Sequence, residues 1–273
     1  MKSNLTPDHY LDINRTSWNQ RLETHLQSDF YDVASFLEGK SSLNSIELAL
    51  LGDVAGKKIL HLQCHFGQDS ISLNRRGAEV VGIDLSDQSI RKAQELAEQC
   101  KSSARFICCD LYDLPKHLNE EFDLVFTSYG TISWLPDLTK WANIIHHFLK
   151  PGGKFVFVEF HPVVWMFDDD MKSVAYHYAN KEPIIETEEG SYADRQADFK
   201  TQYVCWNHGL SEVISALQNN HLNLVDFQEY DYSPYPFIAD MLKIDQGKFQ
   251  IKHFGNKVPL VYSLTCVKNV NAG

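Results

Sequence analysis

Short apolar runs at 58–64, 79–83, 104–109, 122–127 and 154–160 are separated by segments whose apolar residues recur every three or four positions. The runs are largely apolar rather than strictly alternating, as expected for strands of a parallel sheet covered on both faces. Between them, 68–76 reads as an amphipathic helix with Gly77 at a left-handed C-cap. The next helical segment places Ile90, Ala93, Leu96, Ala97 and Cys100 on one face. A later one, opening near Asp137, does the same with Leu138, Trp141, Ala142, Ile145 and Phe148, and Lys150-Pro151-Gly152-Gly153 stops it.

The flanking regions follow other patterns. Residues 8–53 read as helical: Trp18, Leu22 and His25 share one face, Phe30, Val33, Ala34 and Leu37 another, and Ser42 or Asn44 caps a second run. From 161 to about 203 the chain is rich in acids and aromatics without a helical period. It reads as an insertion with irregular or antiparallel strands over the site. Asn207 is expected to cap a helix ending near 220, the last two strands fall at 222–230 and 260–268, and 234–257 reads as a loop with a short helix.

The stretch from Lys57 to Asp84, KKILHLQCHFGQDSISLNRRGAEVVGID, is a strand, a turn holding Gly67, a helix and a second strand ending in an acid. That is the front half of a nucleotide-binding βαβ unit, and the terminal acid stands where a ribose diol is held. An adenosine-containing cofactor at the carboxyl ends of a parallel sheet is therefore expected.

Charge and composition narrow the partners. The 273 residues carry a net charge of −11, and their basic residues form no stripe along the sequence. Acidic stretches such as EPIIETEE (182–189) repel polyanions, so a small molecule is expected rather than nucleic acid. The six cysteines form no CxxC pair, and the histidines show no metal-ligand spacing, so no metal is expected. No apolar run approaches membrane-spanning length and no secretory leader is visible. A cytoplasmic setting without membrane association is expected, with the oligomeric state open.

Taken in order, LHLQCHFG, VVGIDLS, FICCDLYDLP, FDLVFTSYG and LKPGGKFVFVE resemble the successive strand ends of the class I S-adenosylmethionine-dependent methyltransferases. The resemblance covers about 57–162. It implies a doubly wound, Rossmann-like, mostly parallel seven-stranded α/β sheet with the last strand antiparallel. With the helical pattern before it and the aperiodic stretch after it, the expected organisation is a helical N-terminal lid (1–54) on a cofactor-binding methyltransferase domain (55–273) carrying the insertion 162–203.

Carried over residue by residue, Gly67 allows close approach of the cofactor, and Asp84, followed by Leu85, accepts from the ribose hydroxyls. Asp110 receives the adenine amino group, and Leu111 offers its backbone N–H to the ring. Ser128 and Tyr129 face the methionine part.

The loop departs from the family pattern, which begins with an acid and carries two more glycines. Those positions are His61, Gln63 and His65 here. Gln63 and His65 are still expected at the cofactor, His65 with an ordinary φ, and the side-chain oxygen of Gln63 stands in for the missing acid. The departures also argue against a dinucleotide site, which needs G-x-G-x-x-G.

Trp18, Tyr31, Tyr129 and Trp134 are candidates for lining the pocket, since aromatic faces attract a sulfonium or an ammonium. His161, directly after the fifth strand, is the candidate general base. The expected activity is methyl transfer to a small molecule. A non-catalytic cofactor-binding module and a nicotinamide-dependent oxidoreductase are the alternatives.

Overall fold

The structure, a computed structural model, describes residues 7–270; the ends of the two expected units, 1–6 and 271–273, lie outside the described residues. Numbered along the chain, β1 (Lys58–Leu62), β2 (Glu79–Asp84), β3 (Arg105–Cys108), β4 (Phe122–Ser128) and β5 (Leu149–Phe160) run parallel. Strand β11 (Val261–Lys268) inserts antiparallel between β5 and β8 (Leu222–Tyr230). The result is a seven-stranded sheet of order β3-β2-β1-β4-β5-β11-β8. Strand order reverses between β1 and β4, which opens a crevice at their carboxyl ends.

Successive strand residues point to opposite faces, so each central strand feeds two cores. Leu60, Val125, Phe155 and Phe157 meet Trp141 and Phe148 of α6 (Leu138–Phe148) and Val213 of α7 (Leu210–Asn219) on one face. Ile59, Leu124, Phe126 and Val156 meet Leu51 of α3 (Ser45–Leu51) and Leu73 of α4 (Gln68–Arg75) on the other. Helix α5 (Asp87–Gln99) buries Ile90, Ala93 and Leu96, as its spacing predicts, and Ser86 caps it by accepting from the Ser89 N–H at 3.0 Å.

Of the remaining elements, α1 (Pro7–Gln27), α2 (Val33–Leu37) and an antiparallel pair gather over the carboxyl ends. The pair, β6 (Ile184–Glu189) with β7 (Lys200–Cys205), starts in the expected insertion and runs two residues past its end. Helix α1 is tied to β7 by the Asn14 side chain, which donates to Val204 O and accepts from Val204 N, both at 2.9 Å. Because α3 packs into the sheet's own core, only α1 and α2 of the N-terminal helices lie over the crevice.

Two local expectations are corrected. The segment 234–257 contains a hairpin, β9 (Met241–Asp245) with β10 (Lys248–Ile251), and its only helix is the 3-10 turn Gly255–Lys257. Apolar and polar residues nearly alternate there, and Gly247 takes the left-handed turn position at φ 64°. Helix α7 starts after Gly209 rather than at Asn207, because the Asn207 amide donates instead to Trp165 O and His177 O.

Candidate functional site

The loop after β1 keeps a glycine-like path without the glycines. Gln63 has φ 53° and His65 φ 49°, so the ordinary φ expected at His65 is wrong. Non-glycine residues in this region cost on the order of 1–3 kcal/mol each and persist where the surroundings hold them. Here the Cys64 N–H donates to Ile83 O at 2.8 Å, the His65 N–H to Asp84 Oδ2 at 2.8 Å, and the Gln63 amide to Thr131 O at 2.8 Å.

Gly67 has φ 82°, and a Cβ placed on it would stand 2.7 Å from the Phe106 ring and 2.9 Å from Ala93 Cβ. Strain and overlap act together, so Gly67→Ala is expected to lower unfolding free energy by about 2–4 kcal/mol in urea titration.

Asp84 ends β2 with both oxygens engaged: Oδ2 accepts from His65 and Oδ1 from the Ser86 N–H at 2.9 Å. Each oxygen keeps a further lone pair for a hydroxyl donor. Burial pushes this carboxyl up to about 6, against the backbone N–H groups of Ser86, His65 and Leu85. Leu85 stands beside it, with its carbonyl accepting from Arg15 Nε of α1 at 3.4 Å. Asp110, after β3, opens the 3-10 turn Leu111–Lys116 by accepting from the Tyr112 N–H at 3.3 Å, and Leu111 is buried below.

The turn after β4 is built around a carboxylate that sequence reasoning missed. Glu159, 1% exposed, accepts from the backbone N–H groups of Gly130, Thr131, Ile132 and Phe160 and from the Thr131 hydroxyl. Burial still holds its carboxyl above the usual range. The turn carries Trp134, whose indole N–H donates to Gly130 O at 2.7 Å. Before it, Ser128 ends β4, and Tyr129, at φ 50°, donates its hydroxyl to the buried Glu47 at 2.7 Å.

Helix α1 closes the crevice through side chains. His25 and His65 share a 2.8 Å hydrogen bond, and the other nitrogen of His25 meets the Ser191 hydroxyl at 2.7 Å. Burial, aided by the Arg21 charge, drives His25 down to about 3, and burial holds His65 well below its ordinary range. Both rings are therefore neutral at pH 7. Trp18 packs edge-on against His65 and Trp134 at 5.2 Å each, and Tyr31 packs on Phe66 at 4.7 Å and hydrogen-bonds the hydroxyl of Tyr192.

These elements enclose a cavity of about 1240 Å³. Gln63, His65, Gly67, Asp84, Leu85, Asp110, Leu111, Ser128 and Tyr129 all line it, as do Trp18, Tyr31 and Trp134. His161 does not. It is buried behind β5, with Nε2 2.9 Å from Glu229 Oε1 and Nδ1 accepting from the Val163 N–H at 3.2 Å. Both ring nitrogens are engaged away from the cavity, so the structure does not place His161 as its base.

Arg21, Asp69, Glu188 and Tyr192 also line the cavity and were not singled out as site residues. Only the pairing of His25 with Trp18 on one helical face hinted at this wall. Among the described residues no group of His, Cys, Asp and Glu is arranged to hold a metal, and no helix is long and apolar enough to cross a membrane.

Comparison with known proteins agrees with this geometry. Residues 59–153 match a family described as a methyltransferase domain. An uncharacterised methyltransferase of Synechocystis is 30% identical over 189 residues, covering 68% of this chain and 87% of that protein. An uncharacterised protein of Haemophilus influenzae is 26% identical over 267 residues, 89% of this chain and 96% of its own. Among solved structures, the geranyl diphosphate C-methyltransferase of Streptomyces coelicolor, with S-adenosyl-L-homocysteine bound, superposes with a TM-score of 0.60 at 14% identity, over 97% of this chain and 99% of that one. The chain belongs to the class I S-adenosylmethionine-dependent methyltransferase family.

Proposed function

We propose that this enzyme transfers the methyl group of S-adenosylmethionine to a small molecule held inside the cavity under α1, α2 and the β6–β7 hairpin. The observation that carries this reading is the cavity itself. At about 1240 Å³ it exceeds the range of roughly 300–1,000 Å³ typical of a single-ligand site, which leaves room for a cofactor and a small acceptor together. The net charge of −11 and two acids that line the cavity, Glu186 and Glu188, favour a small acceptor over a nucleic acid.

The donor set fits the cofactor. Asp84 offers acceptor lone pairs at the end of β2 for the ribose diol, and Gly67 brings the backbone close. Asp110 and Leu111 flank the place for adenine, while Ser128 and Tyr129 face the methionine side. Bound S-adenosylmethionine supplies an already activated methyl group on a sulfonium. The chain's own tasks are then to orient the acceptor, exclude water and accept a proton where the acceptor has one to lose. The rings of Phe30, Tyr31, Tyr192 and Tyr235 form the wall on the acceptor side. Asp69, pushed up to about 6 by burial and by the Glu47 charge, is the titratable carboxyl on that wall. Release of S-adenosylhomocysteine across a panel of amine, phenol and enol acceptors tests this assignment, and turnover only with a polynucleotide or protein acceptor counts against it.

The Asp84 carboxyl gives a pH signature. Its raised pKa means that the free enzyme takes up a proton as pH falls through about 6, and the protonated form offers the ribose a weaker acceptor. Affinity for S-adenosylhomocysteine is expected to be flat above pH 7 and to fall by up to about tenfold per unit below 6. Asp84→Asn should flatten that profile in calorimetry. The effect on the free fold has the opposite sign. The raised carboxyls of Asp84 and Asp69 contribute stability that is present below their unfolded pKa and is lost as pH rises through about 6.

A further inference from the structure

Two buried polar atoms on residues that line the cavity have no hydrogen-bond partner among the described residues: Nε of Arg21 and the side-chain oxygen Oε1 of Gln63. One is a charged donor and the other an acceptor. Both adjoin the 130–134 turn, since the Gln63 amide donates to Thr131 O and the Arg21 guanidinium lies 5.9 Å from the centre of the Trp134 ring. Leaving such groups unpaired in a buried site is unfavourable, and more so for the charged one. A ligand with a carboxylate and an ammonium on one carbon would satisfy both.

We infer that Arg21 and Gln63 hold the amino-acid end of S-adenosylmethionine, Arg21 donating to its carboxylate and Gln63 Oε1 accepting from its ammonium. This rests on the placement of the adenosine at Asp84 proposed above. The distribution of polar groups along the loop supports it. His65 lies between the two ends: its backbone N–H points to Asp84, and its ring packs at 5.2 Å on Trp18, which in turn stacks with the Arg21 guanidinium at 5.4 Å.

The residue at the start of the loop does not compete for the ammonium. His61 stands where the family carries an acid, is 3% exposed, and has Nδ1 bonded to the Ser70 hydroxyl at 2.8 Å. Gln63 sits at a left-handed position where glycine is the strain-free choice, so its side chain is kept at a conformational cost.

Arg21 also explains how the lid registers the cofactor. Its side chain is 3% exposed, and its ion-pair partner is Glu188 of β6, at 2.7 Å and 36% exposed. The Glu188 contact uses Nη2 and leaves Nε for a second carboxylate. A bound amino-acid end thus joins α1 to the loop after β1, while Glu188 keeps α1 joined to the hairpin. Specificity for the intact cofactor over fragments that lack the amino-acid end follows from the same two residues.

Calorimetry on the full chain with S-adenosylhomocysteine and with 5′-methylthioadenosine, which shares the adenosine and the thioether but lacks the amino-acid end, tests this directly. Arg21→Met and Gln63→Gly, the latter keeping the left-handed backbone, should each weaken S-adenosylhomocysteine by at least about tenfold, as loss of a hydrogen bond to a charged group does, and change methylthioadenosine by less than about twofold. Gln63→Glu, which keeps an acceptor while giving up the donor to Thr131 O, should retain more S-adenosylhomocysteine affinity than Gln63→Gly. Glu188→Gln, which weakens only the lid contact, should leave the ratio of the two ligands unchanged. Equal losses for both ligands, or no loss for either, would overturn the clamp while leaving the Asp84 site standing. Failure of the unmodified chain to bind either ligand would remove the site and the clamp together.

Discussion

Asp84→Ala will weaken S-adenosylhomocysteine binding by at least about a hundredfold, the loss expected when two hydrogen bonds to a charged acceptor disappear. The carboxylate does two jobs at once. Its outer lone pairs face the place proposed for the ribose, and its inner ones accept from the His65 and Ser86 N–H groups, which fixes the loop beneath the cofactor. Alanine removes both functions. The free protein should lose much less. Burial already holds this carboxyl at about 6, so removing it also removes a charge that the fold accommodates poorly. The variant is therefore expected to fold with native circular dichroism. The thermal stabilisation that saturating S-adenosylhomocysteine gives the unmodified chain should disappear, because a ligand raises stability only as far as it binds the native state. A variant that kept both the affinity and the thermal shift would mean that the adenosine sits elsewhere.

Glu159→Leu will be the most destabilising single change near the cavity. Four backbone N–H groups and one hydroxyl converge on this carboxylate, and leucine, although similar in bulk, accepts from none of them. A buried donor left unsatisfied costs about 1–3 kcal/mol, so a loss of about 4 kcal/mol or more is expected even after partial relaxation. Denaturant unfolding measures it. Glu159→Gln, which keeps acceptor capacity on one oxygen, should recover part of the loss. The local consequence is as specific as the global one. The turn that Glu159 gathers carries Thr131, whose carbonyl holds Gln63, and Trp134, which packs on Trp18. In the leucine variant the near-ultraviolet tryptophan signal should change before global unfolding begins.

The parts of this molecule that were legible in the sequence are those set by local pattern. Strands β1 to β5 stand out because burial of the central sheet leaves their residues largely apolar in short runs, and α5 and α6 because their apolar residues recur at helical spacing. Placement of the residues proposed to hold the cofactor follows from topology, since Gly67, Asp84, Asp110 and Ser128 all fall at or just past the carboxyl ends of neighbouring strands.

What escaped sequence reasoning depends on pairing across distance. Arg21 and Glu188 are 167 positions apart, and nothing in either segment marks its partner. Glu159 reads as the polar end of an apolar strand until the 130–132 turn is folded around it. The left-handed φ of His65 was missed because the residue type argued against it, whereas the Asp84 carboxylate holds that backbone in place. His161 looked poised by its position after β5, but its ring points to Glu229 and away from the crevice.

The placement of the adenosyl cofactor is tested most directly by a crystal structure of the full chain with S-adenosylhomocysteine. Both ribose hydroxyls are predicted within hydrogen-bonding distance, about 2.5–3.0 Å, of the Asp84 oxygens, with the sulfur turned toward Tyr129 and the Phe30–Tyr31 wall. A ligand found outside this cavity, or inside it with the ribose away from Asp84, would contradict the account.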